Sequence, residues 1–182
     1  MARGSQKIKV ITGRDNELLK QLSKTGLCNS RQASEYAGVS LERLGKLEKS
    51  GYIRLSEHVV RGESCLIARL NNDGKEYCRQ EFGTTMFPSA QSNHLEHDVK
   101  LTEVYYKLDH DIKDTWKHEN ELIKEYKELY PDQELKTFID ATIEVDGEVI
   151  ALESVGDSYT SQVMAIKEEI AGAIGCARME RF

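Results

Sequence analysis

The chain is short of proline, with two residues, and it has one tryptophan, four cysteines and no excess of positive charge. So few prolines leave helices and strands free to run without the breaks a missing N–H imposes. Cys28, Cys65, Cys78 and Cys176 are scattered without CxxC spacing, which excludes the usual zinc and disulfide frameworks. Reduced thiols, mostly buried, are expected. No apolar run approaches the ~20 residues of a membrane span, and no charged-then-apolar leader precedes a cleavage site. A cytoplasmic chain with no membrane partner is therefore expected. What remains is a globular composition: 182 residues, 39% hydrophobic and 31% charged, enough for one ordinary domain or two small ones.

The net charge of −6 hides an asymmetry. Residues 1–80 hold fifteen Lys and Arg against nine Asp and Glu, while residues 81–182 hold ten against twenty-two. The front half is thus the electrostatic footprint for phosphate, and the rear half repels it unless neutralised. Two domains with different jobs follow from this. Gly83 to Asn93, uncharged and containing Pro88, reads as the linker 83–93 between them. Residues 1–12 read as a loose basic arm.

Within residues 13–82 the local signals run helix, helix, turn, helix, then two strands. Asp15 to Ser23 supplies Leu18, Leu19 and Leu22 to a small core. Ser30 is placed as the N-cap of a short helix, Arg31 to Ala37. Gly38 suits the left-handed geometry of a tight turn. Ser40 caps the next helix, where Leu41, Leu44 and Leu47 form an apolar stripe and Glu42, Arg43, Lys46 and Lys49 take the other faces. Gly51 ends it. Tyr52 to Val60 and Cys65 to Leu70 are β-prone, joined at Arg61-Gly62-Glu63-Ser64. A capped helix starts near Asn71. This tract resembles the winged-helix superfamily, which implies a second helix sized for the DNA major groove.

In the acidic half, Leu95 to Asp109 fits a helical face through Leu95, Val99, Leu101, Val104, Tyr105 and Leu108. Asp114 to Leu122 reads as a strand or an irregular segment around Trp116, and Glu119 to Asp132 as a solvated helix face or loop. His94 and His97 read as capping or packing residues, and Tyr105 and Tyr106 as split between core and surface. Leu135–Val145 and Glu148–Val155 form the clearest hairpin, turning at Asp146-Gly147. A helix over 158–174 places Val163, Ile166, Ile170 and Ile174 on one face, with Lys167, Glu168 and Glu169 off it. Counting outward from the turn sets Asp140 directly opposite Glu153, roughly 5 Å apart at Cβ. Two like charges so close are unfavourable unless a cation or a basic side chain sits between them, and Mg²⁺ completed by phosphate oxygens would resolve this.

That pair is similar to the restriction-endonuclease-like PD-(D/E)XK superfamily. The resemblance implies Asp140 and Glu153 as metal ligands, Lys167 reaching in from the following helix, and Glu103 as an accessory acid. Val155 stands where the family lysine follows the Glu, and Ile139 where a proline precedes the Asp. With the winged-helix tract in front, and His97, Asp140, Glu153 and Lys167 as the best-matching positions, the chain resembles the replication-relaxation family. That family implies a winged helix joined to an often degenerate nuclease-like fold, in proteins of plasmids, phages and integrative elements. The expected class is α+β: an N-terminal winged helix-turn-helix domain, then a small α/β restriction-endonuclease-like domain over 94–182.

The function expected is duplex DNA binding in replication, transfer or regulation of such an element. Ser40 and Arg43 would face base edges, and Arg31, Lys46, Lys49 and Arg61 would hold phosphates. A homodimer and contacts with replication or transfer proteins are expected partners. No cofactor is needed for binding. The alternative is a Mg²⁺-dependent nuclease using Glu103, Asp140, Glu153 and Lys167, although the incomplete motif argues against an enzyme. A further alternative is an adaptor or inhibitor of a host nucleic-acid enzyme, its negative half imitating DNA.

Overall fold

Thr12 opens the first helix with a reciprocal cap. Its hydroxyl accepts the Asp15 N–H, and the Asp15 carboxylate accepts the Thr12 N–H. The computed structural model describes residues 7–60, 62–89, 94–156 and 159–182, and the chain divides into two compact units after Tyr106. The class is mixed α+β, as expected. Among the described residues no helix is long and apolar enough to cross a membrane.

In the first unit, α1 (Gly13–Thr25) buries Leu18, Leu19 and Leu22. A two-residue strand, β1 (Cys28–Asn29), leads into α2 (Ser30–Glu35). Asn29, not Ser30, caps α2: its side chain reaches the Gln32 N–H at 2.8 Å while Gln32 bonds back to the Asn29 N–H. The reciprocal Gln moves the cap one residue forward of the serine. Gly38, at φ +64°, turns the chain into α3 (Leu41–Lys49), which Ser40 caps. The hairpin β2 (Ile53–Val60) and β3 (Glu63–Leu70) pairs Ile53 with Leu70 and Val60 with Glu63, and β1 adds to β3, giving the order β1-β3-β2. The helix α4 (Asn72–Phe82) follows.

Two expectations for this unit need correction. The stripe on α3 is narrower than the periodicity suggests: Leu44 and Leu47 are fully buried, but Leu41 is 61% exposed. Leu41 is the first helical residue, one turn beyond the reach of the core. The domain boundary also moves. The helix α5 (Leu95–Lys107) belongs with the first unit, so packing does not divide the chain at 83–93. The Thr102 hydroxyl donates to the Leu27 carbonyl at 2.8 Å, the Gln32 amide to the Val99 carbonyl at 2.9 Å, and the Tyr106 hydroxyl to Gln21 at 2.9 Å. The Tyr106 ring stacks on Tyr36 at 4.9 Å, so both Tyr105 and Tyr106 face inward.

The second unit runs α6 (His110–Thr115), β4 (Lys117–His118), α7 (Glu119–Leu129), β5 (Ala141–Val145), β6 (Glu148–Glu153), α8 (Ser161–Ala173) and β7 (Arg178–Arg181). Its sheet has the order β4-β5-β6-β7, antiparallel except for the parallel β6–β7 pair. The hairpin register matches the expectation: Val145 pairs with Glu148 and Ala141 with Leu152. Asp146 and Gly147 both carry positive φ, the geometry that suits strand twist. The stretch 119–132 is less solvated than its charge suggests, because α7 buries Leu122 and Tyr126 against Phe138, Ile139, Ala151 and Ile170.

On α8 the expected face is rotated. Lys167 is 3% exposed and Ile166 is 41% exposed. Lys167, Ile170 and Ala171, at i, i+3 and i+4, form the inward side. A buried carboxylate on β6 draws the lysine in.

Candidate functional site

Among the described residues, the expected site residues fall into two groups. The first is the outward side of α3. Its hydroxyl cap, Ser40, is exposed at the helix start, where unbonded backbone N–H groups favour negative charge. Leu41, Glu42 and Lys49 are exposed, and Lys46 bonds Glu42 at 2.6 Å. An exposed i,i+4 pair of this kind is weak and screened by solvent, so a phosphate can take the lysine from it. Arg31, at the start of α2, lies 3.8 Å from Glu35 and is largely exposed. Arg61 falls outside the described residues.

Arg43, expected at a base edge, has a different task. Its Nε donates to Asp15 Oδ1 at 2.9 Å and its Nη2 to Asp15 Oδ2 at 2.5 Å, while Nη2 also meets the Val10 carbonyl at 2.9 Å. Asp15 is fully buried. Burial alone would raise its acid, but the bonds from Arg43 and Thr12 outweigh burial and hold it below the ordinary carboxylate range. The fork clamps α3 onto α1, a bidentate bond that fixes orientation as well as energy.

The second group lies in the second unit. Asp140 ends the stretch before β5, and Glu153 ends β6, so the hairpin register carries them to one place. They offer carboxylate oxygens within 4.8 Å of each other. The Ser154 N–H donates to Asp140 Oδ2 at 2.7 Å. Glu153 is held on its other side by β7, since its carbonyl accepts the Phe182 N–H at 3.2 Å. Lys167 Nζ reaches Glu153 Oε1 at 2.5 Å and the Tyr159 hydroxyl at 3.2 Å. Glu153 is fully buried, and its Oε2 has no hydrogen-bond partner among the described residues. Burial and the neighbouring Asp140 push its acid up to about 7, against the pull of Lys167 and Tyr159. Burial and the two carboxylates likewise push the Tyr159 phenol up, so it stays a donor at neutral pH.

Hard oxygen donors with one buried lone-pair set unspent suit Mg²⁺. The residues present fit that ion through Asp140 and Glu153, with Lys167 supplying the remaining positive charge. The other two positions of the expected constellation, His97 and Glu103, lie on α5 in the first unit, and His97 Nδ1 sits 3.1 Å from Asp98. Within one unit the fold brings together Asp140, Glu153 and Lys167.

Two contributors escaped the sequence reading. Tyr159 precedes Lys167 by eight residues, just ahead of α8, and no local pattern marks it. Asp15 was visible as a first-turn acid, yet only its burial reveals it as the partner of Arg43. The cysteines stay outside both groups. Cys28 and Cys78 are buried, with thiols pushed up to about 12 by burial. No protein-family model, curated protein or solved structure matches this chain.

Proposed function

We propose that the chain binds duplex DNA through its first unit, read as a winged helix-turn-helix with α3 in the major groove and the β2–β3 hairpin as the wing. The observation that carries this reading is the order α1-β1-α2-α3-β2-β3 with the sheet order β1-β3-β2, combined with an α3 that turns Leu41, Lys46 and Lys49 outward. Helix dimensions match the groove, and the excess of basic residues over 1–80 supports attraction to phosphate. Ser40 and Leu41 stand at base edges, where a methyl-rich side chain reads thymine. Lys46, Lys49 and Arg31 hold phosphates. Arg43 acts on DNA indirectly, by fixing the angle of α3. The resemblance to the replication-relaxation family extends the reading to the DNA of a mobile element and to its replication, transfer or regulation.

Selection of bound fragments from a random duplex pool tests this with the whole chain. A shared sequence among the retained fragments is expected. Retention equal to that of a chain carrying both Lys46→Gln and Lys49→Gln would reject the groove assignment.

A second reading, a Mg²⁺-dependent nuclease of the restriction-endonuclease-like type, is favoured by one observation: Asp140, Glu153 and Lys167 converge although Val155 occupies the motif lysine position. A bound Mg²⁺ would supply Lewis-acid stabilisation at a phosphodiester. Asp140 and Glu153 would hold it, Ser154 would orient Asp140 through its N–H, and Lys167 would balance charge and position water. Cleavage of duplex DNA with Mg²⁺ or Mn²⁺, lost in Asp140→Asn, is the expected result. No metal-dependent cleavage leaves binding alone.

A further inference from the structure

The sheet of the first unit has a second face, turned away from the core that Ile53, Leu55 and Ala68 help to build. Towards the hairpin tip that face is covered: Leu95 and Val99 of α5 pack on Ile67, Cys65 and Val60. Towards the hairpin root it carries Arg54 and Arg69, which the register sets directly opposite one another. Like charges directly opposite on one sheet face oppose pairing. A cavity of about 300 Å³ opens there, lined by Arg54, Arg69 and Lys75 together with Gly26, Leu22 and Phe87. Among the described residues no acidic one lines it. The Phe87 ring lies 5.5 Å from Lys75 Nζ and 5.2 Å from the Arg79 guanidinium, which adds a fourth cation beside the mouth.

The neighbourhood offers only partial compensation. Arg69 donates to the Ser56 hydroxyl at 3.4 Å, and Asp98 on α5 attracts it, although Asp98 is itself engaged with His97. Burial and Arg54 both disfavour the charge on Arg69. Two arginines held face to face without a lining acid are the arrangement that an oxyanion relieves, because guanidinium forks match phosphate oxygens.

We propose that Arg54, Arg69 and Lys75 form a phosphate-binding pocket at the root of the β2–β3 hairpin, separate from the outward side of α3. A backbone phosphate of bound DNA and the phosphate of a free nucleotide share this chemistry. The DNA source rests on the duplex-binding reading, and the free source does not.

The test uses the full chain and two probes in parallel. Radiolabelled pyrophosphate in equilibrium dialysis reports the pocket without DNA. Duplex binding across a salt series reports phosphate contacts through the slope. Arg69→Gln is compared with wild type, and Lys75→Gln, on the flank of α4, carries the comparison if Arg69→Gln lowers the melting temperature. If the source is bound DNA, both variants lose about tenfold in duplex affinity, shed about 0.9 from the salt slope and keep the selected sequence. If the source is a free ligand, pyrophosphate retained by wild type is lost in the variants while the salt slope stays. Wild type and variants alike in both measurements would overturn the pocket. Absence of duplex binding in wild type, with pyrophosphate still retained through Arg69, would sink the groove assignment and leave the pocket standing.

Discussion

Each unit buries one carboxylate against one cation at 2.5 Å, Asp15 with Arg43 and Glu153 with Lys167, yet the two pairs are built for different ends. Asp15 spends both oxygens on a guanidinium fork and two bonds from Thr12, and its acid is held low. Glu153 keeps one oxygen without a partner among the described residues, faces a second carboxylate, and its acid is pushed up to about 7. A satisfied pair locks two helices together. An unsatisfied pair stores affinity for something else, because buried oxygen without a partner is costly until a cation or proton arrives. The difference separates a structural clamp from a candidate site.

The largest expected effect breaks the clamp. Arg43→Met leaves Asp15 buried and without its fork, and the first unit should lose about 3 kcal/mol, read by denaturation followed with circular dichroism. DNA affinity should fall with it. A stable Arg43→Met chain that loses only sequence discrimination would return Arg43 to the base edges. The matching change in the other pair, Lys167→Met, should cost less, about 1–2 kcal/mol, because Glu153 can escape by taking a proton. The penalty should be small near pH ~5 and full near pH ~8. Trp116, buried in the second unit and the only tryptophan of the chain, reports it by fluorescence.

The pH responses should also diverge. The folded Asp15 acid lies below its ordinary 3.8, so its contribution is present above that value and lost as pH falls through the depressed range. The folded Glu153 acid lies above its ordinary 4.5, so its contribution is present below 4.5 and lost as pH rises through about 7. Added Mg²⁺ should restore the second unit at the alkaline end, since the ion takes the deprotonated form. The restoration should vanish in Asp140→Asn. A melting profile by Trp116 emission that ignores Mg²⁺ at every pH would assign the cluster to packing. The smallest effect concerns the surface. Lys49→Gln should weaken duplex binding only a few-fold and reduce the salt slope by about 0.9, with no change in stability.

Local rules made much of this legible. The Asp146-Gly147 turn admits one register, so the opposition of Asp140 and Glu153 could be counted from the chain. The caps at Asn29 and Ser40 lie within one residue of where turn chemistry put them, whereas Thr12 opens α1 two residues ahead of the expected start at Asp15. The rest lay beyond local rules. On α8, Val163, Ile166, Ile170 and Ile174 trace an apolar face as good as the real one, and only the buried Glu153 selects the side with Lys167. The strand β7 pairs parallel with β6 across a whole helix, a partnership with no signal in its own four residues.

Residue order alone determined the helices and the β2–β3 hairpin of the first unit, the tight hairpin of the second, and the uneven distribution of charge, because each depends on neighbours a few positions apart. Only the tertiary structure decided that α5 joins the first unit, through Thr102 bonded to Leu27 and Tyr106 stacked on Tyr36. It also decided that Arg43 turns inward and that Lys167 is buried. Those outcomes rest on desolvation and on bonds between residues many positions apart, and such energies exist only once the chain has closed around them.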